Sequence, residues 1–419
     1  MGLSTLLQGS SGHVPVRNLL LDGSGWIGLG VTTALLGSLL SASSRMAGMD
    51  PSGLAVLTML PFAASLVSVV SGRIGPRSPR GLMAFRAVGS AALLCLLAGP
   101  ATPAIIAAVA VFWLTYMLGM PLQQRLWGVM YPSPMRGRLL GAVGTVRFAA
   151  GTVAILLAAR LAEDLGGLVV IGLGGVLGVS FALAVGRLDV PPLQHQAEYS
   201  IRRAIHIAVE RPRLRAITLG QAVFGAGFVA AVPLVTLLQV DRLQLSLGEI
   251  GALGVVATSA TTLAYALAGV AADRGSAVGV MVLGSLIGAA GMTVYVVADG
   301  LPLLVAASIL LGASIGMTEL MLPLLIAERA TPSEQAPASA GMNAIWGARG
   351  LVAPFVATLA VSLGIAGIRG ALLACAATMA VGALLFLRLA DDEEVVRPGM
   401  GDATEAPLGS PEAVGEMIA

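Results

Sequence analysis

The sequence has few charged residues and no lysine: 11% of its 419 residues are charged, and all 24 basic residues are arginines. Ordinary soluble domains carry about 25% charged residues because their outer layer faces water. Here 57% of the residues are hydrophobic and the mean hydropathy is +0.90. This composition excludes a soluble globular protein and predicts a chain whose outer layer contacts the lipid bilayer. The exclusive use of arginine fits either bidentate anion contacts or a coding bias, and the bias is the simpler interpretation.

Residues that could build a catalytic or metal site are also scarce. Cys95 and Cys375 fall in separate apolar stretches, so we expect no disulfide and no metal site. His13, His195 and His206 have no cysteine or carboxylate at ligand spacing. The phosphate-binding pattern GxxxxGK[ST] does not occur. We therefore expect no enzyme, no ATPase and no cofactor, and because the arginines are scattered through short loops we expect no nucleic-acid partner.

Long apolar runs, in contrast, are abundant. A membrane-spanning helix needs about 20 mostly apolar residues, and the chain contains about twelve such runs. The sequence therefore predicts an all-α integral membrane protein. The predicted spans are residues 18–40, 51–71, 81–99, 103–122, 139–159, 166–186, 216–238, 247–270, 277–298, 302–326, 339–363 and 367–388.

The arginines alternate between the predicted loops. One set of loops is rich in arginine, and its long middle loop alone contains six: Arg187, Arg202, Arg203, Arg211, Arg213 and Arg215. The other set contains only Arg45, Arg160, Arg242 and Arg369. Because cytoplasmic loops of membrane proteins carry an excess of basic residues, both termini are predicted to be cytoplasmic in a multi-pass protein of the cell membrane.

The predicted spans divide the chain into five parts. We expect an amino-terminal cytoplasmic arm (1–17), a six-helix bundle (18–187), a central cytoplasmic loop (188–215), a second six-helix bundle (216–388) and a disordered acidic tail (389–419). The central loop carries an apolar stripe at helical spacing, which predicts an amphipathic helix lying flat on the membrane surface. The stripe consists of Ile201, Ala204, Ile205, Ala208 and Val209.

Several segments recur about 200 positions apart, as expected for two bundles that arose by duplication. The stretch GVAADRGS (269–276) resembles the GxxxDR signature of the major facilitator superfamily, and YPSPMRGRLLG (131–141) resembles the loop before that family's fifth helix. The resemblance covers about residues 17–390. It implies two pseudo-symmetric six-helix bundles and a secondary transporter working by alternating access. The implied partners are a small-molecule substrate and a proton or other coupling ion, and we expect a monomer.

The signature also implies a gating role for particular residues. In the second half Gly269, Asp273 and Arg274 are in register with it, and Asp273 is expected to dock near the start of the fifth helix, around Gly141. The first half keeps Arg73 but has serine and glycine where the family has glycine and aspartate. A polar turn that merely ends a helix is the alternative interpretation.

Six ionisable residues lie within predicted spans or close to the end of one, and each is weighed as a candidate site because burying a charge is costly. Arg125, next to Trp127 and Tyr131, is interpreted as an interfacial anchor, and Arg86 as a side chain that snorkels to the surface. Glu319 and Arg349 are either a static ion pair or part of a proton-coupling site. Asp22 is a proton carrier, a shallow hydrated carboxylate or a partner of Arg147. A carboxylate in the cavity can capture a proton when a neighbouring arginine moves away from it, and it can release the proton when the arginine returns.

The remaining candidates are polar, aromatic or methionine side chains on helices that the resemblance places around a central cavity. Such linings suit amphipathic organic solutes, which slightly favours export, although the fifth helix lacks the Gly-Pro pair of many antiporters. A transport-inactive scaffold or sensor is the alternative function. The candidates are Trp26, Trp113, Tyr116, Met120, Gln221, Phe224 and Trp346.

Overall fold

The computed structural model describes residues 16–67, 74–99, 101–131, 136–190, 201–274, 277–330 and 332–395. These residues form thirteen helices and no strand. The helices are α1 (Val16–Met46), α2 (Pro51–Val67), α3 (Pro79–Ala98), α4 (Thr102–Met130), α5 (Arg136–Leu165), α6 (Gly167–Val185), α7 (Ile201–Glu210), α8 (Pro212–Leu237, continued to Arg242 by a π-helical turn), α9 (Leu247–Arg274), α10 (Ala277–Val297), α11 (Leu301–Arg329), α12 (Pro332–Ser362) and α13 (Ile368–Val395).

Twelve of these helices account for the predicted spans. Eleven are long and apolar enough to cross a bilayer, and α2 is a shorter apolar helix of 17 residues that ends next to residues outside the described part. Leucine and valine side chains on α5, α6, α10 and α13 point outward and are exposed, as expected for surfaces that contact lipid. With an even number of spans, the two ends of the described chain lie on one side, here called the terminal face. The other side is called the opposite face.

Several helices extend beyond the spans predicted from hydropathy. Helix α4 continues through Pro121 to Met130, because a proline is tolerated where neighbouring helices support the backbone. Helix α13 continues to Val395, so the first residues of the predicted acidic tail are helical. Hydropathy marks where a helix enters the apolar layer and does not mark where its hydrogen bonding ends.

The two halves repeat one another. Helix α5 starts at Arg136 and α12 at Pro332, and the other five pairs of spanning helices show a similar separation of about 200 residues. The first helix of each half also contains a π-helical turn near the opposite face, at Leu36–Leu40 in α1 and Leu238–Arg242 in α8. The duplication predicted from weak sequence matches is therefore visible in the order and shape of the helices.

Contacts between the halves run along two helix pairs, α5 with α9 and α2 with α12. Gly251 and Gly254 of α9 lie against Ala159 and Ile155 of α5, so the two backbones approach closely near the opposite face. Further along, the hydroxyls of Thr152 and Thr258 are 3.0 Å apart. Gly347 and Gly350 of α12 lie against Phe62 of α2.

The central-loop helix α7, predicted to lie flat on the membrane surface, packs one face on the protein. Ala204, Ile207 and Ala208 are buried, and the Thr218 hydroxyl donates to the Ala208 carbonyl at 2.8 Å. Ile205, which the predicted stripe included, is 39% exposed. The small residues Ala204 and Ala208 allow α7 to approach Gly341 of α12 closely, and this selects the buried face.

Candidate functional site

Asp22 on α1 is fully buried and accepts three hydrogen bonds. Gln123 Nε2 donates to it at 3.0 Å, Trp127 Nε1 at 2.9 Å and Tyr131 Oη at 2.7 Å. All three partners can donate, which fits the carboxylate form because a carboxylate only accepts hydrogen bonds. This burial corrects the interpretation of Asp22 as a shallow hydrated group, and its bonds go to α4 and Tyr131 instead of Arg147.

Arg86 on α3 belongs to the same network. Its Nη2 donates to Gln123 Oε1 at 2.9 Å, so Gln123 connects the arginine to Asp22. Arg86 is 5% exposed, which corrects the snorkelling interpretation. Trp127 and Tyr131 likewise bind Asp22 and are not only interfacial anchors. Gln123, Trp127 and Tyr131 follow one another at four-residue intervals, so they share one face of α4 and of the residue directly after its end, a signal that the sequence contained and that residue-by-residue reasoning missed.

Trp26, one turn after Asp22 on α1, connects this network to a second one. Its ring stacks on Trp127 with 5.4 Å between centroids. The guanidinium carbons of Arg86 and Arg147 lie 5.4 and 5.3 Å from the Trp26 ring centroid. Both distances are within the range of cation–π attraction, so one aromatic ring stabilises two positive charges that belong to different helices.

Arg147 on α5 and Glu319 on α11 form an ion pair between the two halves. Arg147 Nη1 is 3.8 Å from Glu319 Oε1, and the two side chains are 19% and 47% exposed. The ring of Phe148 lies 5.5 Å from that of Tyr265 on α9, and the Arg147 guanidinium carbon is 5.0 Å from the Phe148 ring centroid. The sequence suggested Arg349 as the partner of Glu319; the structure pairs it with Arg147.

The predicted aromatic and methionine candidates of the first half gather near Trp26. Tyr116 and Met120 pack against the small core around Trp26 and are partly buried. Trp113 makes an edge contact with Tyr116, with 5.7 Å between centroids. Trp26, Trp113, Tyr116, Met120, Arg147 and Glu319 therefore form one continuous group.

The candidates of the second half form a separate group on α8 and α12. The Arg349 guanidinium lies against Gly225 and has its carbon 5.6 Å from the Trp346 ring centroid. Gln221 lies one turn before Gly225. Phe224 is 4% exposed and packs against Gly382 of α13, so it belongs to the core and not to the cavity lining that was predicted for it.

The predicted gating motif is only partly described. Arg73 lies outside the described residues, as do the side chains of Asp273 and Arg274 at the end of α9. A side chain at Gly269 would be in ordinary contact with Leu320 at 3.5 Å, and nothing lies within 4 Å of that position at Gly141. The docking of Asp273 near Gly141 stays a prediction.

Comparisons with known proteins agree with this architecture. Residues 217–415 match the family model described as Major Facilitator Superfamily. A mutant form of the nucleoside transporter NupG has a similar structure, with a TM-score of 0.69 at 15% identity over 90% of this chain and 99% of NupG. The second half of the chain thus matches the major facilitator superfamily, and the whole chain shares its fold with solved transporters. The in meso structure of the POT family transporter PepTSo gives a TM-score of 0.72 at 10% identity, over 91% and 99% of the two chains.

The chain is also similar in fold to a mutant of the fucose:proton symporter FucP of E. coli, with a TM-score of 0.63 at 13% identity, covering 88% of this chain and 98% of FucP. No curated protein sequence matches the chain. Such low identities show the shared fold and not a shared substrate. The family match covers only the second half, which is the half whose GxxxDR signature is complete.

Proposed function

We propose that the protein is a major facilitator superfamily transporter that moves a small organic solute across the cell membrane by alternating access, coupled to protons, with export as the favoured direction. The observation that carries the coupling proposal is the Arg147–Glu319 pair. It joins the two halves at 3.8 Å, and the Glu319 side chain is 47% exposed between helices that belong to the membrane-spanning part.

Glu319 is a better proton carrier than Asp22. Protonating Glu319 removes its attraction to Arg147, and that attraction connects halves that must move relative to each other. Asp22 is fully buried and its hydrogen bonds all lie within the first half. We therefore assign the coupling proton to Glu319, and we assign Asp22 to holding Trp26 and the arginines in place.

The solute and direction follow from the lining. Trp113, Tyr116 and Met120 are partly exposed and offer adaptable aromatic and thioether surface, which suits amphipathic organic molecules of the kind that cells expel. The arginine-rich loops are those on the side of the chain termini, so we propose that both termini are cytoplasmic. We also propose that the protein is a monomer in the cell membrane.

A flux measurement tests the coupling. A solute found by thermal-shift screening of the purified protein is loaded into proteoliposomes, and its transport is measured with and without a pH gradient. One pH unit can drive up to about a tenfold solute gradient at one proton per solute. Wild type should approach this, whereas Glu319→Gln should exchange solute without accumulating it.

The matched control is Glu210→Gln on α7, an exposed carboxylate that pairs with His206 outside the membrane. It should accumulate solute as wild type does. If the Glu319→Gln variant still accumulates solute in response to a pH gradient, Glu319 does not carry the coupling proton. If no screened solute is moved by the wild type, the transport-inactive scaffold is the better interpretation.

A further inference from the structure

Arg349 lies near the middle of the apolar span of α12, between α12 and α8. Gly225 leaves the space that the guanidinium fills, and the Trp346 ring covers it from one side. A charged group at this depth is expensive, and such groups are usually paired or take part in binding. The Arg349 charge therefore requires a compensating group.

No acidic side chain of the described part compensates this charge. The nitrogens Nε and Nη1 of Arg349 are buried and have no hydrogen-bond acceptor, and none of the ion pairs among the described residues includes Arg349. The arginines of the first-half networks do have partners, since Arg86 donates to Gln123 and Arg147 pairs with Glu319. Arg86 Nη1 is also buried without an acceptor, but Arg86 still donates from Nη2. Arg349 differs from Arg147 in having no ion pair, and from Arg86 in having no side-chain acceptor among the described residues.

Two neighbouring side chains also have a buried polar atom without a hydrogen-bond partner. Gln221 Oε1, on the side of α8 that carries Gly225, is buried without a donor. Trp346 Nε1, one turn before Arg349 on α12, is buried without an acceptor. Buried polar groups are nearly always satisfied, so each such group in a native structure requires an explanation. Here the polar atoms without a partner lie within one turn of the contact between Arg349 and Gly225, on two neighbouring helices. They include donors on α12 and an acceptor on α8.

We propose that Arg349, Trp346 and Gln221 form the binding site for an organic acid that carries a hydroxyl or amino group near its carboxylate. The carboxylate accepts hydrogen bonds from the Arg349 guanidinium and Trp346 Nε1, and the hydroxyl or amino group donates to Gln221 Oε1. The solute supplies the negative charge that the helices lack. Calling this acid the transported solute rests on the proposed transport function; its binding does not.

Matched ligands test the charge requirement on the purified full-length protein. The probes are 3-hydroxybenzoate, lactate and 3-aminobenzoate, each compared with its primary amide, and benzoate and propionate are the corresponding acids that lack the second group. In a thermal-shift titration, at least one of the three acids should bind at least tenfold more tightly than its amide. The same acid should also bind more tightly than the corresponding acid without the second group. Arg349→Gln should abolish the difference between acid and amide. Equal binding of every acid and its amide, or no binding of any acid, overturns the proposal.

The ligand-free protein provides an independent readout. Because the unpaired charge destabilises the empty site, Arg349→Met should raise the Tm measured without ligand. The control is Arg45→Met, which removes an arginine that is paired with Asp241 and should not raise it. A fall in Tm for Arg349→Met means that the arginine is a structural element, and the site assignment is then wrong.

These measurements separate the two proposals. Acid-selective binding that needs Arg349, together with absent flux in proteoliposomes, contradicts transport and leaves the site in place. Proton-driven flux of a neutral solute that is unchanged in Arg349→Gln contradicts the site and leaves transport in place.

Discussion

At the scale of the residue, the first half concentrates its polarity around one aspartate. Asp22 accepts from three side chains of different chemistry, and Gln123 extends the network to Arg86. Within an apolar bundle, a hydrogen bond to a charged acceptor is stronger than one in water, and an unpaired donor is correspondingly costly. We conclude that the network fixes the relative positions of α1, α3 and α4.

Asp22→Asn tests this role. Gln123 donates to one oxygen of Asp22, and Trp127 and Tyr131 donate to the other. An asparagine replaces one of these oxygens by an NH₂ group, so either Gln123 or the pair Trp127 and Tyr131 loses its acceptor. Leaving one buried donor unsatisfied costs about 1–3 kcal/mol, and the Tm in detergent should fall accordingly. The control Asp164→Asn changes an exposed carboxylate at the opposite face and should leave Tm unchanged. An unaltered Tm in Asp22→Asn contradicts the structural role.

At the scale of the element, glycines determine which helices touch. Gly30 of α1 lies directly against the backbone carbonyl of Arg147 on α5, so no side chain fits there without moving one of the helices. The position of Arg147, and with it the pair to Glu319, therefore depends on a hydrogen atom at position 30.

Gly30→Ala should separate α1 from α5. Inserting a methyl group into a packed backbone contact costs about 1–3 kcal/mol, so Tm should fall, and proton-driven accumulation should fall with it because Arg147 moves. Gly23→Ala on the same helix, where nothing lies within 4 Å, should be neutral or slightly stabilising because alanine favours helix. Equal thermal stability of the two variants would count against the close contact.

Also at this scale, hydropathy located every spanning helix to within several residues, because burial in lipid acts on whole segments. It did not reveal which side of a helix faces a partner. Arg86 was assigned to the surface for this reason, and the pairing of Arg147 with Glu319 depends on how the two halves meet, which no local pattern encodes. The spacing of Gln123, Trp127 and Tyr131 was readable, since one face of one helix is a local property.

At the scale of the whole molecule, the halves are also joined at the opposite face. Arg45 at the end of α1 donates from Nε and Nη2 to the two oxygens of Asp241, both at 2.8 Å. Such a bidentate pair between the two bundles must break whenever the opposite face opens. It therefore favours the conformation in which that face is closed.

Arg45→Gln should shift the equilibrium toward opening. An exposed pair contributes about 0.2–1 kcal/mol, so the open population should rise by up to about fivefold. Spin labels at the exposed positions Ala47 and Leu301, one in each half, should report a larger fraction of long distances. Reversing the pair with Arg45→Asp and Asp241→Arg should restore the wild-type distribution, and an unchanged distribution in Arg45→Gln contradicts the role of the pair.

The aromatic contacts around Arg147 and Arg349 have a practical consequence. The chain has four tryptophans, and Trp26, Trp113, Trp127 and Trp346 all belong to the two groups of site residues. Intrinsic fluorescence of the unmodified protein therefore reports on these groups alone, with no background from distant indoles. Quenching or spectral shifts on adding a solute can be followed in real time without any attached dye.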